Sequence, residues 1–300
     1  MSTRIGSLAL VTDTLRDMSS SQTTLADLQT QISSGMKSQN FEGLNGVVEQ
    51  YTQVTSELNR ATQFSTNNTL NISKLNTADT TLSTITDIAD SMKTLMVGAN
   101  GATITTDNIP QAMSDLMTSL QTQLNVTFNG VYMFGGTNTT TAPVTDAGLS
   151  KIVGGTATDD YYSGSATDAT LRADDSTTMS FPVRADDPAF QKIFAAAKLA
   201  ITAATNGDTS MMSQAQQMIQ DGQSDLIAIR SKVGSTSDNI TAVNGRLTQM
   251  TAYWQQLSDG DAKTDIVAAS TQVSSYQAIL QATFQVYARL SSLSLVDYLK

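Results

Sequence analysis

"LIAIRSKVGSTSDNITAVNGRLTQMTAYWQQL", residues 226–257, decides how the rest of the chain is read. Leu226, Ile229, Val233, Thr236, Ile240, Val243, Leu247, Met250, Trp254 and Leu257 fall at alternating three- and four-residue steps, and nine of the ten are apolar. That spacing is the seam of a long coiled-coil-like helix, a stripe that needs a second helix against it. Trp254, the only tryptophan, sits in the seam, which marks it as core or interface rather than a platform for a ligand.

The partner is found upstream. A second long helix is predicted from about residue 47 to 97, with seam positions Tyr51, Val54, Leu58 and Ala61, then Ile72, Leu75, Leu82, Ile85, Ala89, Met92 and Met96. At about 1.5 Å per residue it would run roughly 75 Å, too long for an ordinary globule. A third helix, opened by Asp107 and Pro110, is expected to reach about Phe128.

Both ends of the chain repeat the pattern on shorter helices. Residues 1–36 carry a seam at Leu8, Val11, Leu15, Met18, Gln22, Leu25, Gln29, Ile32 and Met36, stopped by Gly35. "GMKSQNFEGLNG", 35–46, has no helical period and reads as a loop. Past the opening stretch, "SDGDAKTD" at 258–265 reads as a break. A last helix then carries Ile266, Ala269, Val273, Tyr276, Leu280, Thr283, Tyr287 and Leu290.

Only the middle departs from this period. Prolines and glycines gather between Gly135 and Pro188, and "LRADDSTTMSFPVRADD" alternates in short segments around polar turns, which predicts a small β-rich insert. The fold class is therefore mainly α: a long antiparallel helical bundle or coiled coil built from both chain ends, with a small β-rich central insert. The expected domains are terminal amphipathic helices at 1–45 and 259–300, a shaft at 46–136 and 188–258, and the insert at 137–187. Short terminal helices with uncovered seams fray alone, so they are expected to be disordered in the monomer and to order on assembly. The alternative is that residues 8–36 and 266–290 pair within one chain, and the two arrangements are compatible.

Composition removes most chemistry. There is no cysteine and no histidine, so disulfides, thiolate sites, thiol nucleophiles and histidine bases are excluded. A net charge of −10, with the 17 Lys and Arg scattered singly, argues against nucleic acid. No apolar run has the length of a membrane span, and "IGSLALV" with Asp13 and Asp17 close behind fails as a cleavable signal. "GVYMFGGTNTT", 130–140, lacks the Lys-Ser/Thr of a phosphate loop. Gly135 and Gly136 read instead as a hinge between shaft and insert, packed by Tyr132, Met133 and Phe134. The pairs Asp159–Asp160, Asp174–Asp175 and Asp186–Asp187 match no calcium loop and read as solvated loop charge. No catalytic, cofactor or metal residues are assigned, and no enzyme activity is expected. Self-association through the terminal seams remains.

Several segments, in order, resemble the flagellin-like proteins of the bacterial flagellum. They are "LADLQTQISSGMK" (25–37), "LNTADTTLSTITDIADSMKTLMVGANG" (75–101) and "SDGDAKTDIVAASTQVSSYQAILQATF" (258–284). "NGVYMFGGTNTTTAPV" and the ending "LSSLSLVDYLK" are most similar to the hook–filament junction branch of that family, hook-associated protein 3. "TFNG" at 127–130 is shared with many flagellins, which are the alternative. The Asp-Asp-Pro corner common in the family is missing from "MKSQNFEGLNG". The resemblance implies a structural protein exported by the flagellar type III apparatus to the extracellular flagellum. It implies a ring of identical subunits joining hook-associated protein 1 to flagellin, and a cytoplasmic export chaperone guarding the C-terminal helix. By that analogy Tyr276, Leu280, Tyr287 and Leu290 carry chaperone and tube contacts. The assembly interface expected overall is Leu8, Val11, Leu15, Leu25, Ile32, Val273, Tyr276, Leu280, Tyr287 and Leu290. A secreted coiled-coil translocator and an enzyme are the readings from other classes.

Overall fold

The computed structural model describes residues 2–38, 48–100 and 108–298, the side chains of 2–8, 100 and 290–298 excepted. In chain order the elements are α1 (Ser2–Ser34), α2 (Val48–Asn100), α3 (Ile109–Leu124), β1 (Thr127–Phe128), β2 (Val131–Tyr132) and α4 (Asp146–Leu149). They continue with β3 (Thr170–Arg172), β4 (Thr178–Ser180), α5 (Pro188–Asn206), α6 (Thr209–Ala262) and α7 (Ile266–Tyr298). The fold is mainly α, with long helices drawn from both chain ends and only two-stranded sheets between them, as the seams predict. It divides into two compact units, one of Met1–Arg60 with Met250–Lys300 and one of Ala61–Gln249.

In the second unit α2 and α6 run antiparallel. Arg230 donates to Asp79 at 2.9 Å, and two turns earlier on α6 Gln223 donates to Asp90 at 2.7 Å, further along α2. Between them lies the seam: Leu75, Leu82, Ile85, Met92 and Met96 share one buried cluster with Leu226, Ile229, Val233, Ile240, Val243 and Leu247. Burying each such side chain contributes about 1.5–3 kcal/mol. Helices α3 and α5 pack on each other and close the cluster, α3 with Met113, Met117 and Leu120, α5 with Phe190, Ile193 and Phe194. Helix α5 buries Ala195, Ala196, Ala197, Ala200 and Ala203 as well, so it is enclosed on more than one face, and its small side chains let neighbours come close. It ends on Gly207 in the left-handed region (φ 66°). Asp208 then starts α6 by accepting from the Ser210 and Met211 amides.

The third helix is shorter than its sequence suggests. It ends at Leu124, not near Phe128, because Asn125 is fastened to the following loop. Its side chain accepts from the Val144 amide at 3.0 Å and donates to the Val144 carbonyl at 2.7 Å. Thr127–Phe128 and Val131–Tyr132 then form a hairpin across Asn129 (φ 52°) and Gly130 (φ 80°). Two successive positive φ values make the two-residue turn whose twist matches paired strands.

Likewise α6 continues through 258–262, and the break before α7 is only residues 263–265. Gln255 and Lys263, each one turn from Asp259, donate to its carboxylate at 3.0 and 2.6 Å. These i, i+4 contacts carry the helix across Gly260.

The insert is built on two anchors. Strands β3 and β4 pair antiparallel, Thr170 with Ser180, Leu171 with Met179 and Arg172 with Thr178. Tyr161 is fully buried, its ring 4.8 Å from that of Phe194 and its hydroxyl donating to the Ala185 carbonyl at 2.7 Å. Burial, aided by the nearby carboxylates of Asp186, Asp159 and Asp187, pushes that phenol well above its ordinary pKa, so it stays a donor.

The abundant hydroxyls of the long helices are mostly turned inward on their own backbone. Along α2, Thr66, Thr69, Ser73, Thr77, Thr80 and Thr81 each donate to the carbonyl four residues back, and Thr236, Thr241 and Thr248 do so on α6. Each hydroxyl is thus satisfied without a lateral partner, so a Ser- and Thr-rich sequence remains helical.

Candidate assembly interface

The first unit brings the chain ends together. Gly35 (φ 71°) ends α1 in a conformation that a side chain disfavours. From there the chain pairs with the start of the return helix: the Lys37 amide donates to the Ala262 carbonyl at 2.8 Å, and the Thr264 amide to the Gly35 carbonyl at 3.0 Å. Lys37 Nζ reaches the Gly260 carbonyl at 2.7 Å, and the Thr264 hydroxyl reaches Gln31 at 3.2 Å. Asp265 caps α7 by accepting from the Val267 and Ala268 amides, each at 3.0 Å. With the end of α1 tied to the start of α7, the two helices pack side by side and antiparallel.

Their shared seam is only partly covered. On α7, Ala269 and Leu280 are buried while Val273, Tyr276, Thr283 and Tyr287 are half-buried. On α1, Leu28 is buried and Val11, Met18, Leu25 and Ile32 are half-buried. Leu15 remains exposed, at 40%. The expected interface residues Val11, Leu25, Ile32, Val273, Tyr276, Leu280 and Tyr287 thus lie at the covered or half-covered positions of an intrachain pair. The side chains of Leu8 and Leu290 lie outside the described residues.

A second apolar set lies beside the seam; of it the sequence singled out only Ile266, as a seam position, and the structure leaves that residue 52% exposed on a flank. Ile279 and Val286, one heptad apart, lie on one flank of the α7 seam, and Ile266 and Phe284, five turns apart, on the other. Val267 is 77% exposed. The signal was present in "AILQATFQV", where apolar residues exceed what one seam needs. A helix apolar well beyond one stripe is built to be enclosed.

The other predicted positions are placed as follows. Leu226, Ile229, Val233, Ile240, Val243 and Leu247 are buried in the second unit. Trp254 is half-buried in the first, edge-on to Tyr253 at 5.1 Å, and its indole N–H is buried without an acceptor. At the passage from the strands into the insert, Gly136 has φ 65°, and a Cβ there would lie 2.4 Å from the Ser165 carbonyl oxygen. Only glycine fits that position. Met133 and Phe134 are buried beside it. The acidic pairs are mostly engaged in ion pairs and turns rather than merely solvated: Arg184 holds Asp168 and Asp186, Arg172 meets Asp175, and Asp174 caps a turn and meets Arg246. Among the described residues, no three acidic side chains converge as metal ligands, and no helix is long and apolar enough to cross a membrane.

Comparison with known proteins fits this arrangement. Residues 5–139 match the bacterial flagellin N-terminal helical region. No curated protein sequence matches the chain. Among solved structures it is similar to FlgL of Bacillus cereus, at 15% identity and TM-score 0.54, covering 68% of this chain and 96% of that one. It is also similar to a protein described as flagellar hook-associated from Vibrio parahaemolyticus, at 14% identity and TM-score 0.61, covering 72% of this chain and 97% of that one. At such identities the likeness is one of fold. Residues 5–139 thus carry the match to the flagellin N-terminal helical region, and the fold is like that of these two solved structures.

Proposed function

We propose that this chain is the adaptor at the hook–filament junction, joining hook-associated protein 1 to the flagellin filament. The observation that carries the reading is the fold shared with two hook-associated proteins, each matched over nearly its whole length. The chain is exported through the flagellar type III apparatus, with a cytoplasmic chaperone on its C-terminal helix, and acts outside the cell in motility. It works by assembly, as a ring of identical subunits, without catalysis or a cofactor. The terminal helices order as they assemble. Leu8, Val11, Leu15, Leu25, Ile32, Val273, Tyr276, Leu280, Tyr287 and Leu290 supply the pairing stripes, and the exposed flanks of α7 meet neighbouring subunits. Gly135 and Gly136 form the turn by which the shaft enters the insert.

The flagellin match over residues 5–139 favours a second reading, a filament subunit. Deleting the gene in its host separates the two. Hooks without filaments, with flagellin in the medium, are the outcome for a junction adaptor. Filaments of normal length reject it. Hooks with neither filament nor exported flagellin point to the filament subunit.

A further inference from the structure

The α2 seam thins where the insert begins. Between Ala61 and Leu75 the one fully buried side chain is a polar one, Asn68, while Phe64 and Ile72 are only partly covered. Over this stretch lies the hairpin of β3 and β4. Asn68 Nδ2 donates to the Ala173 carbonyl in the hairpin turn at 2.8 Å. The Arg172 guanidinium sits 5.5 Å from the Phe64 ring centre, and the Lys74 ammonium 4.4 Å from that of Phe181. From the other helix, Arg246 reaches Asp174 at 3.3 Å. Asp174 in turn closes the hairpin turn by accepting from the Ser176 amide at 2.8 Å and the Thr177 amide at 2.6 Å.

The hairpin and the residue after it therefore grip α2 at three points between Phe64 and Lys74 and grip α6 at a fourth. Asn68 Oδ1 finds no donor, so the amide occupies a seam position at a cost that leucine would avoid. A buried amide in a helical seam secures specificity of pairing rather than stability. The stretch it guards is thin: between Ala61 and Leu75 α2 gives the cluster no fully buried apolar side chain, only the partly buried Phe64 and Ile72.

We propose that the β3–β4 hairpin is a clasp, with Asn68 as its pin, holding residues 61–74 of α2 against residues 240–247 of α6. The insert is a brace on the shaft rather than a freely hinged head. This holds whichever flagellar role the chain has.

The test is amide hydrogen exchange, read by peptide mass spectrometry on the full chain. Two variants are compared with the native protein: the surface double variant Arg172→Ala/Arg246→Ala, and Asn68→Leu, which fills the seam but cannot bond the hairpin. In both, exchange at 61–74 and 240–247 is expected to quicken tenfold or more, while 82–96 stays within twofold and reports that the core is folded. Asn68→Leu is also expected to melt at or above the native temperature, which separates loss of the pin from loss of packing. Protection of 61–74 that stays within twofold of native in either variant overturns the clasp.

Discussion

The chain pairs long helices twice, and the two pairs are finished to different degrees. Between α2 and α6, Leu75, Leu82, Ile85, Met92, Leu226 and Ile240 are wholly excluded from solvent, with α3 and α5 closing the sides. Between α1 and α7 the same heptad spacing leaves most seam positions half-buried, and Ile279, Phe284 and Val286 stand in solvent. A seam does not by itself make a core. Two helices cover one stripe each, and only further elements cover the flanks. The second unit carries those elements in its own chain, whereas the first leaves their place open.

The sharpest way to break this comparison is a charge on the open flank. Phe284→Asp is expected to abolish self-association, followed by sedimentation or electron microscopy, while shifting monomer stability by no more than about 0.5 kcal/mol. A variant that assembles normally would remove α7's flank from the interface. Next in size is paired truncation. Phe194→Ala, in the closed core, should cost about 3–5 kcal/mol in urea unfolding. Leu280→Ala, buried in the open pair, should cost the monomer less, about 2 kcal/mol, the low end of the range for a closed core. Equal losses would show the two pairs to be equally complete.

A smaller effect sharpens the view of the insert. Tyr161→Phe keeps the ring against Phe194 but strands the Ala185 carbonyl, for an expected loss of about 1–2 kcal/mol. The smallest is a pH effect at the hairpin turn. Burial alone would raise the Asp174 pKa, yet hydrogen bonds from Thr177 and Ser176 outweigh it and hold the carboxyl below its usual range. A depressed folded pKa stabilises above the unfolded value of about 3.9 and is lost as pH falls through the folded one. Arg246 faces the same carboxylate, so its ion pair with Asp174 weakens in that window. Melting followed from pH 7 downward should therefore show this contribution intact until about pH 4 and declining below it.

The shaft was legible in the sequence because heptad spacing is a local signal that tertiary contacts reinforce. Leu226 to Leu247 and Leu75 to Met96 needed only each other. The β1–β2 hairpin was also written locally, in Asn129-Gly130, but the helical period of the preceding residues masks it. The break before α7 reads longer than it is because Asp259 and Gly260 resemble turn residues. What overrides them is a pair of contacts one turn away, to Gln255 and Lys263, whose contribution depends on helix geometry. Least legible was which face of α7 meets which neighbour. Val273 and Ile279 are equally apolar in sequence, and only the packing of α1 distinguishes them.

The hydroxyls folded back on the long helices carry one more consequence. A threonine whose one hydroxyl proton is spent on its own backbone has no donor left for a neighbour, and presents its methyl group beside an acceptor oxygen. Wetting, rather than composition, is then the better measure of such a surface. A set such as Thr66, Thr69 and Thr80, all exposed on α2, looks hydrophilic as letters, yet an approaching protein would meet small methyls that are cheap to dry.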